Sequence, residues 1–177
     1  MPPIDVSDLA ELAADRSQST IAGLLRAARG QLGLEVALLA ELTREAQVYR
    51  AVDGDGASFG LSVDHAIALE ESYCRQVVNG RLPNVMRDVR SHPIAGGMAI
   101  TASSAVGAYV SVPIHLSDGR LWGTLCAGSH GDAPWLRERD VEFLHVLARL
   151  IGDELERAEL EARVRPLAAR LAELQAA

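Results

Sequence analysis

The strongest constraint on the fold lies between Gly107 and His130. Two apolar runs there flank Ser117-Asp118-Gly119-Arg120. Asp-Gly between such runs is a strong hairpin signal, and a type I′ turn would need positive φ at both central residues. In the first run, Val110, Val112 and Ile114 alternate with Tyr109, Ser111, Pro113 and His115. A period of two gives a strand with two different faces. The second run, Leu121 to Ala127, is apolar on both faces and reads as a buried central strand. The hairpin is therefore expected at the centre of a sheet.

Upstream, residues 5–32 carry Leu9, Leu12, Ala13, Ile21, Leu24, Leu25 and Ala28 at spacings of three and four, which predicts a helix. The polar patch Asp15 to Thr20 is expected to interrupt it, with Ser19 or Thr20 capping a second helix. Residues 34–42 and 46–52 predict a hairpin. Its second strand should place Val48, Arg50 and Val52 on one face and Gln47, Tyr49 and Ala51 on the other. Asp53-Gly-Asp-Gly56 lacks the later ligands of a calcium loop and reads as a turn. Ala66 to Asn79 reads as a helix, Leu82–Met86 as a short strand, and Asp88 to Ser104 as loop. A helix from about Leu136 to Arg165 would span roughly 45 Å. Along it, Leu144, Ala148, Ile151, Leu155 and Ala158 keep a period near 3.5, the coiled-coil repeat, and predict a dimer seam. Pro166 is expected to break or kink that helix, with Leu167, Leu171 and Leu174 continuing an apolar stripe.

Composition excludes several functions. The chain has 177 residues, a formal charge of −7 and no lysine. Binding nucleic acid through a basic face is disfavoured, and Schiff-base chemistry on lysine is impossible. No apolar run approaches 18 residues, so no membrane span is expected. Met1-Pro-Pro-Ile-Asp-Val6 shows no secretory pattern. Two cysteines, Cys74 and Cys126, do not make a disulfide framework and suit a reducing cytoplasm. Each reads either as a small core hydrophobe or as a redox-active thiol, Cys74 having Arg75 beside it. The five histidines, His65, His92, His115, His130 and His145, form no close zinc-type pair. No nucleophile elbow, phosphate loop or catalytic triad is readable, so no enzyme is expected.

Several ordered motifs resemble a known family. Ala108-Tyr-Val-Ser-Val-Pro-Ile114, the Asp-Gly turn and Trp122-Gly-Thr-Leu-Cys126 are similar to the second half of a GAF domain. Tyr73-Cys74-Arg-Gln-Val-Val78, Gly80-Arg-Leu-Pro83 and Asp88 resemble its middle segment, and Arg137-Glu-Arg-Asp140 with Phe143-Leu144 its closing helix. The resemblance spans residues 20–157, leaving a helix at 1–19 and a helical extension at 158–177. It implies an α+β fold. A central antiparallel sheet of five or six strands would carry the terminal helices on one face. Shorter helices and loops from 57–106 would cap a pocket on the other. It further implies a cytoplasmic sensory module that binds a small ligand or senses redox state. That module would signal through its C-terminal helix to an effector outside this chain, such as a cyclic-di-GMP enzyme. The alternatives are a ligand-free homodimerisation module and a GAF-type redox enzyme. Pocket candidates are Tyr73, His92, Tyr109, Ser111 and His115, provided the mixed face of the Tyr109 strand lines the pocket. The family's covalent bilin and cyclic-nucleotide signatures are missing. A haem, needing one axial histidine, is compatible with the sequence.

Overall fold

The structure, a computed structural model, describes residues 6–176, with side chains described for residues 14–167 and for Arg170 and Leu174. Asp5 and the side chains of Leu9, Leu12, Ala13 and Leu171, invoked above, lie outside the described set. Six antiparallel strands form one sheet: β1 (Val36–Leu42), β2 (Ala46–Gly54), β3 (Ala66–Ala68), β4 (Val85–Met86), β5 (Ala108–His115) and β6 (Leu121–Ser129). Their order is β3-β2-β1-β6-β5-β4, which places β6 and β1 at the centre. Helix α1 (Val6–Leu32) and helix α4 (Glu138–Ala176) cover one face. Helices α2 (Tyr73–Val78) and α3 (Ala99–Ser104), with three short 3-10 turns, cover the other. No described helix is long and apolar enough to cross a membrane.

The two faces bury separate cores. Val110, Val112 and Ile114 join Leu39 and Leu125 against α1 and α4, through Leu25, Leu144 and Ile151. Tyr109 and Cys126 face the other way, into a cluster with Val36, Leu38, Tyr49, Phe59, Tyr73 and Cys74. Close strand contact at the centre requires glycine at 123, where a Cβ would fall 2.0 Å from the Ala40 carbonyl oxygen.

Several local expectations change. The β5–β6 turn is not type I′, because only Gly119 has positive φ (82°). The Gly119 amide donates to the Leu116 carbonyl and the Leu116 amide to Arg120. That pattern fits a type I turn closed by a left-handed glycine. Helix α1 is not interrupted at Asp15–Thr20, because those polar groups find helical partners. Ser17 donates to Glu154 of α4 at 2.5 Å, and Thr20 back-bonds to the Arg16 carbonyl. The segment 66–79 is not one helix. Ala66–Ala68 pairs with β2, and Ser72 caps a short helix by accepting from the Arg75 amide. The loop before Ser104 contains α3. In β2, a register shift skips Arg50 opposite Leu39 and Ala40. Gln47 and Tyr49 therefore keep to the capped face, while Ala51 turns towards the helices. Asp53 pairs with Arg29 at 2.6 Å, and Asp55 accepts from the Ser58 amide, so both serve the turn.

Helix α4 also differs from expectation. Pro166 lies inside it without ending it. Water can satisfy the carbonyl that proline leaves free on so exposed a stretch. The expected dimer seam is partly consumed within the chain. Leu144, Ala148 and Ile151 are buried against the chain's own sheet and α1, and Leu155 packs beside them. A second copy cannot reach them. Ala158, one turn on, is half-buried.

Candidate functional site

Between the capped face and its lid lies a cavity of about 260 Å³. Val36 and Leu38 of β1, Gln47 and Tyr49 of β2, and Tyr109 of β5 form its floor. Phe59, Leu61, Ile67, Tyr73, Ile100 and Val106 supply apolar walls, and the exposed residues Gly60, His65 and Ser103 lie at its rim. An aliphatic cavity of about 150 Å³ holds one benzene ring, so this one has room for a bicyclic molecule. It lies just under the roughly 300–1,000 Å³ range of drug-sized ligand sites. A haem does not fit it as shaped.

The cavity holds no carboxylate or guanidinium, and its one histidine, His65, stands at the exposed rim. Burial pushes the Tyr49, Tyr73 and Tyr109 phenols up, so all three stay protonated. Tyr73 and Tyr109 pack with ring centroids 4.9 Å apart at 51°. The Tyr73 hydroxyl lies 2.5 Å from Thr101 Oγ1 on α3, and Thr101 in turn donates to the Ala95 carbonyl. This chain ties α2 to α3 within the lid.

One polar atom is left over. Gln47 is 3% exposed, yet its Oε1 has no hydrogen-bond partner. An unpaired buried acceptor costs about 1–3 kcal/mol. It also marks where a ligand's donor would be rewarded.

The sulfurs meet beside this cavity. Cys74 is among its lining residues, and its Sγ lies 3.2 Å from Cys126 Sγ, with both residues buried. Tyr109 Oη is 3.0 Å from Cys74 Sγ, while Ser111 Oγ and Thr124 Oγ1 are 3.3 and 3.2 Å from Cys126 Sγ.

The expected site residues therefore divide. Tyr73 and Tyr109 line the cavity, and Ser111 sits behind it against Cys126. His92 does not reach it, because its Nδ1 accepts from the Ile94 and Ala95 amides and shapes its own loop. His115 is exposed at the far end of β5, after a register shift, and lies outside the cavity. Asp88 accepts from the Ser91 amide and hydroxyl, a turn role that holds its carboxyl below the usual range. Sequence reasoning missed Gln47, Tyr49, Phe59 and His65 as lining residues. The available signal was Gln47 two residues from Tyr49, on one face of a predicted strand.

Comparison with known proteins agrees with this architecture. Residues 17–155 match the model of the GAF domain. Among solved structures, the free methionine-R-sulfoxide reductase from Neisseria meningitidis, in complex with its substrate, is 22% identical, with 88% of each chain covered and a TM-score of 0.63. The blue-light absorbing form of the Thermosynechococcus elongatus PixJ GAF domain is 16% identical (92% of this chain, 95% of that one, TM-score 0.62). The GAF-B domain of DevS from Mycobacterium smegmatis is 17% identical (84% of this chain, 98% of that one, TM-score 0.62). A comparison with curated protein sequences gave no match.

Proposed function

The chain belongs to the GAF domain family, and from that premise we propose that it is a cytoplasmic sensor for a small neutral ligand. The ligand is largely apolar, no larger than a bicyclic ring system, and carries one hydrogen-bond donor. The observation that carries this reading is Gln47, a residue of the cavity wall whose Oε1 is buried and unpartnered, in a cavity without carboxylate or guanidinium. An anionic ligand, such as a cyclic nucleotide or a carboxylic acid, would lose its hydration there and meet no guanidinium, with only the His65 imidazole at the rim.

Signalling runs through the sheet. The strands that floor the cavity carry α4 on their opposite side, only one sheet thickness away. Gly152 of α4 approaches the His115 carbonyl so closely that a Cβ there would lie 3.0 Å from it. A shift of β5 is therefore felt by α4, which at about 1.5 Å per residue is about 58 Å long. Its far end delivers the change to an effector, for which a cyclic-di-GMP enzyme is one candidate.

The test is thermal unfolding with matched probes. Indole is expected to raise the melting temperature in a concentration-dependent way, whereas benzoate, similar in bulk but anionic, is not. Stabilisation by benzoate and not by indole would overturn the proposal.

A second reading, homodimerisation, is favoured by one observation. On α4, Val146, Leu150, Leu160, Val164, Leu167 and Leu174 are all exposed, on the side opposite the buried stripe. They fall on a 3.5-residue repeat, interrupted only by Asp153 and Arg157, with Leu171 outside the described side chains. Such a seam suits a second copy of α4. The sensor and dimer readings are compatible.

A further inference from the structure

Cys74 and Cys126 are 52 residues apart in sequence and belong to different layers, the lid helix α2 and the central strand β6. Their sulfurs nevertheless approach to 3.2 Å. Two inert core thiols would be expected among apolar groups. These instead sit in a nest of hydroxyls contributed by Tyr109, Ser111 and Thr124. Burial pushes both thiols up, and for Cys74 this direction prevails. At Cys126, hydrogen bonds from Cys74, Ser111 and Thr124 outweigh burial and hold the thiol below its ordinary value. Cys126 is thus placed to accept the proton that Cys74 must lose before its sulfur can attack. The cavity opens at the exposed rim of Gly60, His65 and Ser103 and reaches Cys74, but Cys126 does not line it.

The geometry points to a reversible oxidation site: Cys74 reacts with a small hydroperoxide entering through the cavity, and Cys126 then resolves it into an intramolecular disulfide. In the first step the Cys74 proton passes to the Cys126 sulfur, the Cys74 thiolate attacks the peroxide oxygen and the O–O bond breaks. Cys74 becomes a sulfenic acid, and the remaining oxygen leaves protonated as water or an alcohol. In the second, the Cys126 sulfur attacks Cys74 Sγ, the S–O bond breaks, and water leaves with the Cys126 proton. Two electrons pass from the sulfurs to the peroxide, and an external thiol returns them by exchange. The sulfurs need to close from 3.2 Å to about 2.05 Å, a displacement of about 1 Å. The bond would tie α2 to β6 and remove a thiol from the cavity wall. Oxidation state and cavity shape are then linked, whether or not a ligand is present.

The experiment treats the full chain with hydrogen peroxide, then denatures it, alkylates it and measures its intact mass. Untreated protein should take up two alkyl groups. Treated protein should take up none, weigh less by two hydrogens, remain monomeric on a non-reducing gel and recover both sites after dithiothreitol. With Cys126→Ser, the sulfenic acid on Cys74 should persist and be trapped by dimedone. With Cys74→Ser, Cys126 should stay unmodified at the same peroxide dose. Two free thiols after treatment, a disulfide between chains, or dimedone on Cys126 before Cys74 would each overturn the proposal. The wild-type masses decide the linkage even where a variant folds poorly.

Discussion

Gln47 concentrates the functional account at one side chain. It occupies a strand position whose neighbours on the same face are apolar or aromatic, and its Oε1 has no hydrogen-bond partner, while its amide reaches the Tyr49 phenol. Tyr73, at the cavity, shows the contrasting case, its hydroxyl engaged by Thr101, which in turn donates to the Ala95 carbonyl. A residue retained for stability alone would not leave an acceptor stranded. Gln47→Leu removes the stranded acceptor and keeps the side chain's bulk. The ligand-free variant is expected to be more stable than the wild type by about 1–3 kcal/mol in urea unfolding. A loss of stability instead would mean that Gln47 holds the fold together.

Helix α4 carries, at the scale of an element, two apolar stripes, of which the fold itself uses one. Its buried stripe, Leu144, Ala148 and Ile151, builds the core with α1 and the sheet. On its other side Val146, Leu150, Leu160, Val164, Leu167 and Leu174 are exposed. Glu154 reinforces the inner contact by accepting from Ser17 of α1, and Arg157 beside it holds its carboxyl below the usual range. Substitutions on the two stripes should therefore separate. Ile151→Ala is expected to cost about 2–5 kcal/mol with the oligomeric state unchanged. Val164→Asp combined with Leu167→Asp should leave the domain's circular dichroism intact and yield monomer on sedimentation. A dimer surviving the double change would place the seam elsewhere. From the sequence the 3.5-residue repeat was visible, but not which stripe the sheet would claim. That choice depends on how α4 docks.

At the scale of the whole molecule, the α+β layering was legible because it rests on local patterns and ordered motifs. The alternation of Val110, Val112 and Ile114 against Tyr109 and Ser111 marks two faces, and the structure buries each set in a different core. What stayed hidden depends on irregularity or on distance. The skipped Arg50 reverses the alternation of β2 by one residue, a change no composition signals. Leu69, Tyr73 and Val77 at steps of four suggested one long helix, but Ser72 caps a short one and frees Ala66–Ala68 for the sheet. The contact between Cys74 and Cys126 arises only when the lid closes over β6. His92 and His115 fell outside the cavity because local hydrogen bonds hold the first and the strand carries the second past it.

The most direct measurement is a calorimetric cycle of indole and 1-methylindole against the wild type and Gln47→Leu. Only indole can donate to Gln47 Oε1. The wild type should bind indole more tightly by about tenfold, the worth of one hydrogen bond rescued from an unpaired acceptor. Gln47→Leu should bind the two probes alike, so that the coupling isolates that one contact. Equal affinities in the wild type, or a preference for indole that survives in Gln47→Leu, would contradict the assignment of this cavity as a site for a neutral donor.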